Sequence, residues 1–69
     1  MLIRMTRGIL NLDQTMALIV SDAEIQAYPN SAGRDYISVH IYGTKAEAQA
    51  EVDRIMNAYI NGADAYDLR

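Results

Sequence analysis

Ser38 and His40 stand two residues apart in Tyr36-Ile37-Ser38-Val39-His40-Ile41-Tyr42. If that run is a strand, alternation sets them side by side on one face, as a nucleophile and its base require. A triad also needs a third group to orient the imidazole, and the next residue on that face is Tyr42, so a polar sheet face is the simpler account. Asp64 and Asp67, with Glu47, Glu51 and Asp53, raise a second chemistry, paired carboxylates or a hard-metal site. Calcium loops need dense oxygen ligands and a glycine at fixed spacing, and that pattern is missing. A chain with no Cys and one His also offers no zinc ligand set. Gly62-Ala63-Asp64 lacks the glycine series of a phosphate loop. No catalytic residue, metal ligand or cofactor is assigned, and the chain is not expected to be an enzyme.

The five tyrosines carry more information. Tyr59 falls on the apolar stripe of a helix and is expected in the core. Tyr28, Tyr36 and Tyr42, with His40 and Ile19, are expected on the sheet face that a single helix leaves uncovered. Aromatic rings with polar tips suit protein interfaces, because they bury area at low entropic cost. Tyr28, Tyr36, His40 and Tyr42 therefore form the candidate interaction face. A half-wet face with cross-strand packing is the structural alternative.

Those residues must be positioned by short elements. Leu2–Thr6 reads as a strand, Arg7-Gly8 as a turn, and Ile9–Leu12 as a second extended piece. Asn11-Leu12-Asp13-Gln14 breaks it, since Asn and Asp side chains bond nearby backbone. Thr15–Val20 is apolar on both faces and reads as a strand in a central or doubly covered position, with helix as the alternative. Glu24–Tyr28 alternates, and Pro29–Gly33 reads as a loop. In Tyr36–Tyr42, Ile37, Val39 and Ile41 are expected on the core face.

Thr44-Lys45-Ala46-Glu47 is a capping box, with Thr44 as N-cap and Glu47 reaching back to its amide. Ala48, Val52, Ile55, Met56 and Tyr59 then form one stripe, with Glu47, Glu51, Arg54 and Asn61 opposite on a solvated face. Gly62 is the expected stop, although Ala63 and Tyr66 would extend the stripe if the helix ran on. The fold class expected is α+β, a small antiparallel meander of three to five strands with one C-terminal helix packed across one face, all in one domain, 1–69.

The chain has 69 residues, 51% of them apolar. One core of this size supplies only about 3–5 kcal/mol, so extra support is common. Without disulfides or a metal, a partner subunit is the expected source. Nine acidic and six scattered basic residues give a net charge of −3, which disfavours direct nucleic-acid binding. The N-terminus does not read as a signal peptide, and no stretch approaches the ~20 apolar residues of a membrane span. A cytoplasmic location is expected.

At Asn11-Leu12-Asp13 and Tyr42-Gly43-Thr44-Lys45-Ala46-Glu47-Ala48, the chain resembles a group of short uncharacterised single-domain proteins of Gram-positive bacteria and their phages. Their pattern is an apolar strand, an Asn-Leu-Asp turn, a meander, and an aromatic-x-Thr-x-x-Glu-Ala start to a helix that ends the protein. The likeness spans about residues 2 to 61, and the tail 63–69 exceeds it. It implies a fold and a phage or mobile-element setting, and carries no catalytic residue.

The function expected is a non-catalytic protein-interaction module that self-associates. The implied setting would make it an inhibitor or regulator of a host factor, a class that includes anti-CRISPR inhibitors. The alternative is a small-ligand or nucleotide-sequestering protein, with Arg4, Arg7 and Arg34 converging on phosphate between subunits. Symmetric pairing through the Tyr36, His40 and Tyr42 face would also bring two imidazoles together and make assembly sensitive to pH.

Overall fold

The computed structural model describes residues 1–29 and 35–68. Six strands and a helix follow in order among them: β1 (Leu2–Met5), β2 (Gly8–Asn11), β3 (Thr15–Ser21), β4 (Glu24–Pro29), β5 (Ile37–Ile41), α1 (Lys45–Ile60) and β6 (Ala65–Asp67). The α+β class is as expected, with one strand more than the meander of three to five. That strand is β6, formed by the tail. The strands make two three-stranded sheets, ordered β2-β1-β6 and β3-β4-β5.

In the first sheet, β1 and β2 form a hairpin in which Met5 pairs with Gly8 and Ile3 with Leu10. Gly8 has φ +154°, a conformation that suits glycine. A 3-10 turn at Leu12–Gln14 leads into β3, and the Asn11 side chain accepts the Asp13 amide at 3.0 Å. Thr15–Val20 is a strand, which resolves the choice between strand and helix, but it is an outer strand of its sheet with Met16 and Ile19 exposed, so it is neither central nor covered on both faces. Pro29 pairs with Thr15 and closes β4 instead of opening the loop. The rest of that loop, with Arg34, lies outside the described residues.

The helix begins as its capping box requires. Thr44 is extended, and its hydroxyl accepts the Glu47 amide at 3.1 Å. The Glu47 carboxylate accepts the same hydroxyl at 3.2 Å, so its return contact is to the Thr44 side chain. Thr44→Ala should cost about 0.5–2 kcal/mol in urea unfolding, and no measurable loss would show that the cap is dispensable. At the other end the Gly62 amide donates to Tyr59 and the Ala63 amide to Ala58, with Gly62 at φ +80°. That is a Schellman stop, and it ends the helix before Ala63 and Tyr66 can extend its stripe.

Ile3, Leu10, Ile25, Ala27, Val39, Ala48 and Ile55 form the core, drawn from both sheets and the helix. The inner face of β3-β4-β5 thus meets both α1 and the β1–β2 hairpin. The helix is turned relative to the expected stripe. Glu51, placed on the solvated face from sequence, is fully buried, whereas Met56 and Tyr59 are more than half exposed. The reason lies in β6, whose Tyr66 supplies a buried hydrogen-bond partner for the Glu51 carboxylate.

Candidate functional site

The four residues of the expected interaction face divide into two pairs. In the β4–β5 ladder Ile25 pairs with His40 but Gln26 pairs with Ser38, so Val39 is an extra residue in a β-bulge. A bulge breaks alternation. Ile37 and His40 therefore lie opposite Ala27 and Ile25 on the inner face, while Ser38 and Ile41 lie opposite Gln26 and Glu24 on the outer one. This corrects two sequence expectations. Ser38 and His40 are not neighbours on one face, and Ile37 and Ile41 do not share the core with Val39. Val39 is buried, but Ile37 and Ile41 are exposed.

The outer face carries the first pair. The Tyr28 and Tyr36 rings lie 5.7 Å apart at a tilt of 48°. The Tyr28 hydroxyl donates to Gln26 Oε1 at 3.4 Å, and Gln26 Nε2 donates to Glu24 Oε1 at 2.7 Å. Ser38 Oγ donates to Glu24 Oε2 at 2.5 Å. The Ser38 and Gln26 hydrogen bonds hold the Glu24 carboxyl below the usual carboxylate range. Ile19 and Ile41 flank this polar row and stand exposed.

His40 and Tyr42 form the second pair on the inner side, in an edge-on ring contact at 4.6 Å. Beyond Tyr42 lies Glu51, whose carboxylate accepts the Tyr66 hydroxyl and, at 3.2 Å, Arg54 Nη2. The Tyr42 hydroxyl is buried near that carboxylate without a hydrogen bond of good geometry. Burial, and then the Glu51 charge, push the Tyr42 hydroxyl up to about 12. Burial and the Glu51 hydrogen bond raise Tyr66, and the same carboxylate raises Arg54.

Both tyrosines hold their protons more tightly folded than unfolded, where tyrosine titrates near 10. The unfolded chain therefore loses protons first as pH rises. The stability they supply is complete below about pH 10 and falls away between about 10 and 12. Urea midpoints should drop across that window, and less steeply in a Tyr42→Phe/Tyr66→Phe variant. An unchanged slope would show that the pair does not control alkaline unfolding.

Glu51 was missed from sequence. Its signal was the spacing Ala48-Glu51-Ile55, which sets a carboxylate between two apolar residues on one helical face. The other acids do not converge. Asp67 pairs with Arg4 at 3.4 Å on the surface, and Asp53 accepts Gln49 at 3.2 Å. Among the described residues no three His, Cys, Asp or Glu side chains gather as metal ligands. No helix among them is long and apolar enough to cross a membrane.

No known protein-family model matches the chain, and no curated protein or solved structure matches it either.

Proposed function

We propose that this chain is a non-catalytic protein-interaction module that self-associates through the outer face of β3-β4-β5. One observation carries this reading: among the described residues nothing covers that face, and Ile19, Tyr36 and Ile41 stand 44%, 44% and 66% exposed on it. A sheet buries its apolar surface against another layer. A second copy suits it because, among the described residues, the face has little charge to repel its own image. Its one carboxylate, Glu24, sits at the rim beside the Asp22–Ala23 turn, with both oxygens engaged by Ser38 and Gln26. A two-fold pair is the commonest way to close such a surface. His40 faces inward, so this pairing does not juxtapose imidazoles, and the idea of pH-controlled assembly is set aside.

A phage or mobile-element setting, with inhibition or regulation of a host factor, belongs to the same proposal. The nucleotide-sequestering reading has less to stand on, because Arg4 is tied to Asp67 and Arg34 lies outside the described residues. Sedimentation equilibrium at tens of micromolar should find an oligomer, and Ile19→Glu/Tyr36→Glu should dissociate it without unfolding. A monomeric wild type refutes self-association, and an oligomer indifferent to the double change moves the interface elsewhere.

A further inference from the structure

Four outer strands have a free edge among the described residues, and three of those edges are blunted. β6 is three residues long and carries Asp67, β2 is four residues long, and β5 is interrupted by its bulge. β3 is the exception. It runs seven residues, Thr15–Ser21, without proline or formal charge, and pairs regularly with β4 from Ala17 to Ser21. Its amides and carbonyls directed away from β4 meet no further strand among those described. α1 lies beside this edge. Leu18, opposite Ala27 on the inner face, lines a groove of about 260 Å³ with Leu12, Val52, Ile55, Met56 and Tyr59. Met56, Tyr59 and Ile60 are neighbours at helical spacing, and each is more than half exposed. At about 200 Å² per large side chain they present roughly 350 Å², nearly half of the ~800 Å² per partner in a standard interface.

We infer that a second copy of this chain pairs here, β3 against β3 and antiparallel, with the two helices side by side on one face of a six-stranded sheet. This contact is separate from pairing through the outer face and does not depend on it. Two surfaces on one side of the molecule need cover together, and that selects the occupant. A foreign strand added to β3 satisfies the edge and leaves Met56, Tyr59 and Ile60 in water. The occupant must bring a strand edge and an apolar helix flank at the same spacing, and this chain carries both. A two-fold axis at Ile19 sets Ala17 opposite the partner's Ser21 and Leu18 opposite the partner's Val20. Outer residues then meet outer ones and inner residues meet inner ones, as a continuous sheet requires. Leu18, next to that axis, shares its groove with Met56, so the same rotation brings the two flanks together. The paired strands hold no formal charge, and Asp22 falls opposite the partner's Met16 instead of another acid.

The test is sedimentation equilibrium on the full chain carrying Tyr36→Glu/Ile41→Glu, with and without Met56→Lys/Ile60→Lys. The first pair of changes disables the outer face and leaves Ile19, on the axis, untouched. Lysine suits the last turns of a helix, so the flank variant keeps its fold, as its circular dichroism should verify. The Tyr36→Glu/Ile41→Glu chain should remain a dimer at tens of micromolar, and the added lysines should halve its mass. In that dimer the amides of 17–21 directed away from β4 should exchange more slowly than they do on dilution. Below the pairing concentration Met56 is exposed, and its truncation there costs the single chain little. A Tyr36→Glu/Ile41→Glu chain that is already monomeric overturns the inference and leaves the surface to a foreign partner or to none. A dimer indifferent to the lysines, or one whose β3 amides are not slowed, overturns it too. The outer-face reading fails separately, if Tyr36→Glu/Ile41→Glu leaves the mass of the wild type unchanged.

Discussion

Glu51→Ala should melt far below the wild type, although a glutamate in an alanine-rich helix looks dispensable. The carboxylate has no solvent exposure and binds Tyr66 and Arg54. Truncation strands the half-buried Tyr66 hydroxyl and leaves a void, while the half-exposed Arg54 turns to water. A stranded polar group costs about 1–3 kcal/mol, and the cavity adds to it. A loss of about 2–4 kcal/mol follows, or roughly 10–30 °C in a domain of this size. Glu51→Gln keeps an acceptor for Tyr66 and should lose less. In a double-mutant cycle, Glu51→Ala and Tyr66→Phe should couple by about 0.5–3 kcal/mol. If Glu51→Ala costs no more than Asp53→Ala on the exposed surface, the buried network does not exist.

Ile55→Ala is the second large effect. Ile55 is 2% exposed and sits in the core cluster that joins the helix to both sheets. Deleting buried aliphatic atoms loses their transfer energy and leaves a cavity, together about 2–5 kcal/mol for Ile to Ala. Its neighbour Met56 is 58% exposed, so Met56→Ala should stay within about 0.5 kcal/mol of the wild type. Urea unfolding of the two variants measures which way the helix faces. Equal losses would return Met56 to the core and restore the stripe expected from sequence.

What could be read in the sequence was whatever local chemistry determines. Thr44 needed only Glu47 to be recognised as a cap, and Gly62 only its own freedom to be recognised as a stop. β3 was legible because a short apolar run bounded by turn residues suits a strand. Tertiary partners decide the remainder. The Val39 bulge leaves no local mark, since Ile37-Ser38-Val39-His40-Ile41 alternates faultlessly as text, and the extra residue shows only against β4. That one residue moves His40 to the inner face and divides the candidate interaction site. Glu51 is buried because Tyr66 meets it from fifteen residues away, and Tyr66 arrives there because β6 finds β1. Neither link has a sequence period to betray it.

The pairing of β6 with β1 also governs how the molecule bears load. The two strands run parallel from opposite ends of the described chain, with Leu2 beside Ala65 and Arg4 beside Asp67. Tension applied at residue 2 and at residue 68 pulls them along their length in opposing directions. The ladder, with the flanking bonds from Leu2 to Asp64 and from Leu68 to Arg4, is then strained in shear, all its bonds sharing the force together. A hairpin pulled at its open end would instead unzip one bond at a time. This small domain thus resists stretching first at the seam where its two ends meet, and Tyr66, hydrogen-bonded to Glu51 beneath that seam, anchors the strand that would have to slide.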